Sequence, residues 1–234
     1  MSEVLHCFIH VPKTGGATVK RQLARHEMRV PILYIYPHLP DYIVPWLMSN
    51  DAFRHVSIVY GHFRYGIHQD RGREYKYLAI LRDPYDFLLS HYFFSKEVHR
   101  NPAVVRCTSV FEMLETDAVP ILDNLFVRMI YGSGIAAHEP VQQRHLEQAI
   151  ATIDRDFAFV GLQERLPESL AVISNLLGLD LTSDLRRENV TPVTEERRLL
   201  DIPAFRVAAG RHVRFDLLLY AHVQSRFWGI GSAR

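Results

Sequence analysis

The sequence has few cysteines, no excess of either charge and no long apolar run, and each shortage excludes a class of protein. Its 234 residues include only two cysteines, Cys7 and Cys107, too few for a disulfide framework or a structural zinc site. Lys and Arg number 27 against 26 Asp and Glu, so no overall field gathers nucleic acid or an anionic membrane. No apolar stretch reaches the roughly 20 residues that cross a bilayer, and the first residues lack a secretory signal. We therefore expect a cytoplasmic protein that binds no nucleic acid and does not span a membrane.

Common metal and nucleotide motifs are also missing. No Gly-Lys pair occurs, so a Walker loop is excluded, and Gly132-Ser133-Gly134 is not followed by the third glycine of a dinucleotide-binding turn. Neither His26-Glu27 nor His138-Glu139 is followed by the second histidine of a zinc protease motif. We expect no metal site, and any bound anion must be held by local features of the chain.

Apolar runs of strand length alternate with helical patterns along the sequence. Strands are predicted at residues 4–10, 32–36, 56–60, 77–81 and 157–161, and helices at 17–28, 84–98, 120–131, 141–153, 167–177 and 212–227, with a further helix starting at a capping box on Ser109. The polar residues 186–203 are predicted to form a long ordered loop. The alternation predicts one α/β domain over residues 1–234, with a central parallel sheet flanked by helices in three layers.

Two segments at predicted strand ends carry the chemistry of anion binding. Residues 12–18 read PKTGGAT and combine glycine backbone, a lysine and hydroxyl groups between a strand and a helix. Arg82 follows another strand, and Ser90 lies about two helical turns later, so both side chains can face one anion. Because the carboxyl ends of parallel strands share one edge of a sheet, we expect the two segments to lie close together.

With these motifs the sequence resembles the PAPS-dependent sulfotransferases, especially the branch that contains carbohydrate sulfotransferases. The first signature of that family resembles residues 8–16 and the second resembles residues 82–92, with further similarity at 61–63, 159–164 and 216–220. The resemblance implies a P-loop nucleotide-kinase-like fold, 3′-phosphoadenosine 5′-phosphosulfate (PAPS) as co-substrate, its desulfated product PAP, and a hydroxyl acceptor on a glycan. It assigns donor binding to Pro12, Lys13, Thr14, Gly15, Gly16, Ala17, Thr18, Arg82 and Ser90.

Two residues are candidates for catalysis. Lys13 is placed to stabilise the charge that develops on the leaving phosphate. His62 follows a predicted strand and resembles the base of the family, and histidine titrates close enough to neutrality to accept a hydroxyl proton. His68, six residues later, remains an alternative base, whereas His10 suits a hydrogen bond that orients the loop.

The sequence departs from the family pattern at two positions. Ala17 stands where the family often has threonine, and losing one hydroxyl donor costs about 1 kcal/mol. Phe87 stands where the second signature often has arginine, so we expect another cation, Arg165 or Arg187, to replace it. Residues 188–191 resemble a family segment that closes over the nucleotide, although a polar surface loop explains them almost equally well.

The acceptor is not fixed by the sequence. Residues 63–75 and 98–135 are expected to read it, and a basic groove for an anionic polysaccharide could be lined by Arg64, Arg71, Arg73, Lys76 and Arg100, although scattered surface arginines are the simpler interpretation. Two rival functions remain. A phosphotransferase would need Mg²⁺ ligands, for which no carboxylate set is evident, and a binding protein would retain the nucleotide cradle without catalysis.

Overall fold

A computed structural model of the chain describes residues 4–36, 54–68, 72–185, 194–198 and 200–230. Five parallel strands form one sheet: β1 (Leu5–Ile9), β2 (Ile32–Ile35), β3 (Ile58–Gly61), β4 (Tyr75–Leu81) and β5 (Phe157–Leu162). Their order across the sheet is β2-β3-β1-β4-β5. The five strand predictions are confirmed, and β1 lies in the centre with β3 and β4 on either side.

Helices connect and cover the strands. They are α1 (Gly16–Ala24), α2 (Pro84–Phe93), α3 (Pro102–Val105), α4 (Val110–Glu115), α5 (Leu125–Tyr131), α6 (Gln143–Asp156), α7 (Leu166–Leu177), α8 (Glu195–Arg198) and α9 (Ile202–Trp228). A π-helical turn, Phe94–Val98, extends α2, and short 3-10 turns occupy Pro120–Leu122 and Gln163–Arg165. Within the described ranges no helix is both long and apolar enough to cross a membrane.

The sheet separates two cores because successive side chains of a strand point to opposite faces. Leu5, Cys7 and Ile9 of β1 join the larger core, which also receives buried side chains of α2, α5, α6 and α9. Phe8 points the other way, into a smaller core completed by α1 and α7. The predicted three-layer α/β architecture is thereby confirmed, and Cys7 is a buried free thiol.

Several helix boundaries differ from the predictions. The helix predicted over 120–131 is divided, because Asn124 takes a left-handed conformation (φ 49°) between the 3-10 turn and α5. Helix α9 begins at Ile202 instead of the predicted residue 212. The Asp201 side chain caps this start by accepting the Ala204 N–H. The predicted loop over 186–203 therefore includes α8 and the first turn of α9, while residues 186–193 lie outside the described part.

A buried polar joint fixes α9 against α5. The Asn124 side-chain oxygen accepts the N–H groups of Phe215 and Asp216 within α9. In return, the Asp216 carboxyl group accepts the N–H groups of Val127 and Phe126 in the first turn of α5. Burial raises the pKa of Asp216 to about 8, whereas the two N–H groups favour the carboxylate. The joint thus satisfies helix N–H groups that would otherwise be buried without partners.

Candidate active site

The segment after β1 forms a tight turn at the carboxyl ends of the parallel strands. Lys13 and Gly15 both take positive φ angles, 62° and 89°, which turn the chain back before α1. The Thr14 hydroxyl donates to the Val11 carbonyl at 2.8 Å, and the Tyr60 hydroxyl donates to the Gly16 carbonyl at 2.8 Å. Gly15 caps α1 without a side-chain hydrogen bond, so the first N–H groups of the helix can point at an anion.

Gly16 is required because the His10 ring lies against its Cα. A Cβ at this position would lie 1.6 Å from His10 Nε2. Gly16→Ala should therefore cost about 1–3 kcal/mol of stability by overpacking and weaken nucleotide binding at the displaced loop. The measurement is chemical denaturation together with calorimetry of PAP.

Gly210→Ala is a matched control for this substitution. Gly210 lies inside α9, and the nearest atom to a Cβ at this position would be the Tyr85 hydroxyl oxygen at 4.0 Å. Alanine here should raise stability by up to about 1 kcal/mol, because it replaces glycine in a helix. A Gly16→Ala variant as stable as the parent, with unchanged PAP affinity, would contradict the packing argument.

Stacked aromatic rings hold His62 at the same edge. The His10 ring lies between Tyr60 and His62, with ring centroids 5.3 and 4.3 Å apart. The His62 main-chain N–H donates to the Ile35 carbonyl at 2.7 Å. The preceding residue must be glycine, because a Cβ on Gly61 would lie 1.7 Å from that same carbonyl oxygen. The position of the His62 ring is therefore set by both backbone and side-chain contacts.

The hydrogen bond of His62 defines which of its nitrogens can act as a base. Nδ1 lies 2.7 Å from the His10 carbonyl oxygen, which can only accept, so Nδ1 carries the proton. In the neutral ring Nε2 then has the free lone pair. Burial lowers the pKa of His62, partly offset by the His10 carbonyl, and burial also lowers the pKa of His10, with His62 and Lys20 adding to the effect. Both rings are therefore neutral at neutral pH.

The two segments predicted to bind anions contact each other directly. Arg82, which follows β4, donates through Nη1 to the Lys13 carbonyl at 3.4 Å. Its Nε is buried and has no hydrogen-bond partner in the described ranges. Asp83 accepts the N–H groups of Tyr85 and Asp86 at the start of α2, and no ion pair joins it to Arg82 among the described residues. The unpartnered Nε–H group of Arg82 could therefore donate to an anion bound between residues 12–18 and the start of α2.

The cationic side chains of Lys13, Arg82 and Arg197 lie together in the corner between the loop of residues 12–18 and α2. The Lys13 ammonium lies 3.9 Å from the centroid of the Phe94 ring, and the Arg197 guanidinium lies 5.5 Å from that of Phe93. Burial lowers the pKa of Lys13 to about 8, with further contributions from Arg82 and Arg197. An anion bound here would reduce the repulsion among these cations.

Arg197 was not among the predicted site residues. It lies in α8, which is anchored on α2 by its neighbour Glu196, whose carboxylate accepts from the Tyr92 hydroxyl and from the Lys96 ammonium at 2.8 Å. The only signal in the sequence was an arginine pair in a polar segment, which is common on protein surfaces. The contact with α2 depends on tertiary structure.

Ser90 lies on α2, four residues before Phe94, the first residue of the π-helical turn. The two residues are four positions apart and therefore neighbours on the helix surface, and Ser90 is buried. The Lys13 ammonium lies over the ring of Phe94, about one helical turn after Ser90. In the described part of the chain no hydrogen bond joins Ser90 to Arg82.

The departures from the family pattern have structural explanations in part. Phe87 is fully buried in the larger core and packs on Phe126 at a centroid distance of 4.9 Å, which leaves no room for a cation. Arg165 lies over the Trp228 ring at 4.6 Å and pairs with Glu168 at 3.4 Å. Arg71, Arg187 and residues 188–191 lie outside the described residues.

His68 lies near the amino ends of the strands, whereas His62 lies at their carboxyl ends. Its ring stacks on Tyr75 at 3.7 Å, and its Nδ1 is 2.8 Å from the Tyr77 hydroxyl. Tyr75 begins β4 and pairs with Leu5, the first residue of β1, whereas His62 follows the last residue of β3. The structure therefore brings His62, and not His68, to the edge that carries Lys13.

Glu164 joins the end of β5 to α2 and α9. One carboxylate oxygen accepts the Asp83 N–H at 2.7 Å, and the other accepts the Tyr220 hydroxyl at 3.0 Å. The similarity at residues 159–164 and 216–220 thus corresponds to a structural joint that holds the start of α2 behind Arg82.

Comparison with known proteins is informative at the level of solved structures. No family model matches the sequence, and no curated protein matches it. The structure of mouse sulfotransferase SULT7A1, solved in complex with PAP, is similar with a TM-score of 0.55 and 15% sequence identity, covering 94% of this chain and 88% of that protein. At this identity the likeness establishes a shared fold, and the chain therefore has the P-loop-like α/β fold of a sulfotransferase.

Proposed function

We propose that the chain is a sulfotransferase that moves a sulfuryl group from PAPS to an acceptor hydroxyl, with His62 as the general base and a glycan as the acceptor. The observation that carries the proposal is the contact between Arg82 and Lys13, which joins two anion-binding segments from neighbouring strands into one site. The presence of PAP in the mouse sulfotransferase of the same fold supports the choice of nucleotide.

The proposed donor site uses both segments. The backbone of residues 12–18 surrounds the 5′-phosphosulfate, because glycine N–H groups and the start of α1 favour an anion. Arg82 and Ser90 bind the 3′-phosphate, and the buried Nε of Arg82 gains a partner there. Arg197 supplies the second cation that Phe87 cannot provide.

The proposed reaction divides acid–base and electrostatic roles between two residues. His62 Nε2 accepts the proton of the acceptor hydroxyl as the acceptor oxygen bonds to sulfur and the bond from sulfur to the phosphate oxygen breaks. Lys13 and the N–H groups of the loop stabilise the negative charge on the departing phosphate. The products are the sulfate ester, PAP and a proton on His62, which then passes to solvent.

Calorimetry with matched nucleotides tests the donor assignment. PAP and 5′-AMP differ only in the 3′-phosphate, so PAP should bind about 10–150-fold more tightly if Arg82 forms charged hydrogen bonds to that group. ATP, which also lacks a 3′-phosphate, is the control for a phosphotransferase.

Two outcomes would point to other functions. ATP binding as tight as that of PAP would overturn the donor assignment and favour a phosphotransferase. Tight PAP binding without transfer from PAPS to any hydroxyl in a broad acceptor panel would instead favour a protein that binds the nucleotide without catalysis.

A further inference from the structure

A pocket of about 700 Å³ opens beside the His62 turn. Phe63, which follows His62 in the chain, is one of its lining residues. Its volume suits a ligand of one or two rings. Its walls are residues 63–67, the turn 131–134, and Arg144 and Gln148 of α6.

Gly132 and Gly134 allow the turn 131–134 to form one wall of this pocket. A Cβ on Gly132, whose φ is 112°, would lie 2.9 Å from the Tyr65 carbonyl oxygen. A Cβ on Gly134 would lie 2.8 Å from a carbon of the Tyr131 ring. The Gly-Ser-Gly sequence, which fits no dinucleotide-binding motif, therefore serves to bring the turn against residues 63–67 and to form a wall.

The charged residues of the lining are both arginines. Arg64 donates through Nη1 to the carbonyls of Gly132 and Ile135, at 3.3 and 3.0 Å, so its guanidinium is held in the wall. Arg144 is exposed and donates through Nε to His145 at 3.2 Å. Neither arginine has a carboxylate partner in the parts of the chain that the structure describes.

A carboxylate behind the lining is already paired. Asp156 lies behind Tyr65, whose hydroxyl donates to it, and pairs with Arg155 at 2.8 Å. Burial and the neighbouring Arg128 lower the pKa of Arg64, which is the effect expected of a cation without a counter-ion. The described lining therefore carries two guanidinium groups and no carboxylate.

The tyrosines of the lining add a second type of contact. Tyr65 and Tyr131 are half-buried, with Tyr131 held by the His145 ring at a centroid distance of 4.9 Å. Aromatic side chains of this kind present an apolar body and a polar tip, and they suit the mixed surface of a hydroxylated ring. Cations and aromatic rings together select an acceptor with both features.

We infer that this pocket binds the acceptor and that the acceptor is a compound of one or two rings that carries an anionic group, such as a carboxylate, held by Arg64 and Arg144. The inference rests on the proposed function, because it assigns the hydroxyl of that compound to His62. The bidentate geometry of arginine suits a carboxylate or a sulfate ester better than a neutral hydroxyl.

A matched pair of glycosides tests the inference through binding alone. 4-Nitrophenyl β-D-glucuronide and the corresponding glucoside differ in one carboxylate, and ligand-observed NMR on the protein saturated with PAP measures both. The glucuronide should bind about tenfold more tightly or better. Arg144→Gln should remove most of that preference, because Arg144 is the exposed cation of the lining and glutamine retains an N–H donor for the His145 ring.

Arg29→Gln provides the control for charge removal. Arg29 is also an exposed arginine, but it precedes β2 at the opposite edge of the sheet, so the glucuronide preference should persist. Equal binding of the two glycosides, or an undiminished preference in Arg144→Gln, would overturn this inference while PAP binding remained intact. Failure of PAP to bind would overturn the proposed function and this inference with it.

Discussion

Replacement of His62 by glutamine should lower kcat for sulfuryl transfer about 10²–10⁴-fold, the usual contribution of a general base. Glutamine can still donate to the His10 carbonyl, which His62 Nδ1 contacts at 2.7 Å, but it cannot accept a proton at neutral pH. Affinity for PAP should remain nearly unchanged, because the ring contributes no contact to the proposed donor loop beyond its stack on His10. Steady-state kinetics and calorimetry measure the two effects.

The pH dependence provides a second test of the same assignment. A base must be neutral, so activity is present above its pKa and is lost as the pH falls through it. Burial lowers the pKa of His62 from its ordinary value of 6.5, so the acidic limb of kcat/KM should lie below pH 6.5 in the parent protein. This limb should be absent from the residual activity of His62→Gln.

His68→Gln is the matched control, because it makes the same change at the opposite edge of the sheet. Its activity should stay far above that of His62→Gln, since His68 contacts Tyr65, Tyr75 and Tyr77 rather than residues 12–18 or Arg82. Full activity in His62→Gln would assign proton transfer to another group, and a loss confined to His68→Gln would contradict the site geometry.

Arg82→Gln should weaken PAP binding about 10–150-fold, the value of a lost hydrogen bond to a charged group. Because Arg82 is assigned to the 3′-phosphate, the variant should also lose most of the preference for PAP over 5′-AMP. Lys13→Met should weaken both nucleotides to a similar extent, because Lys13 is assigned to the 5′ end that they share. Calorimetry of both nucleotides on both variants separates the two ends of the site.

The two substitutions should not be additive when combined, since the Arg82 and Lys13 side chains repel each other, which contributes to the lowered pKa of Lys13. The exposed Arg29→Gln variant serves again as a control for charge removal and should bind PAP like the parent. Unchanged PAP affinity in both single variants would remove the donor site from this edge of the sheet.

The strands and the turn of residues 12–18 were predictable because their signals are local. Residues 12–18 carry the turn chemistry of the loop within one short stretch, and the strand before it reads as an apolar run. The early start of α9 also had a local signal, an Asp201 cap followed by Pro203, but Gly210 weakens the helical pattern beyond it. Errors in predicted helix boundaries of this kind arise where the helix propensities of neighbouring residues are weak or conflict.

The remaining features of the site depend on packing between distant segments. Arg197 reaches the corner only because Glu196 is anchored on α2 by Tyr92 and Lys96. His62 and His68 are close in sequence, and only the direction of the chain after β3 places them at opposite edges of the sheet. No pattern within residues 61–68 specifies that direction.

Different strands supply the proposed nucleotide site and the proposed acceptor pocket, so the acceptor specificity of such a protein can change separately from its nucleotide binding. The proposed nucleotide site lies at the ends of β1 and β4, whereas the pocket is lined by residues that follow β3 and by the turn after α5. On the proposed assignment, exchange of the turn 131–134 for one of another shape or charge would redirect the protein to a new acceptor. Each derivative would inherit the donor chemistry unaltered, so new specificities could arise without rebuilding the nucleotide corner.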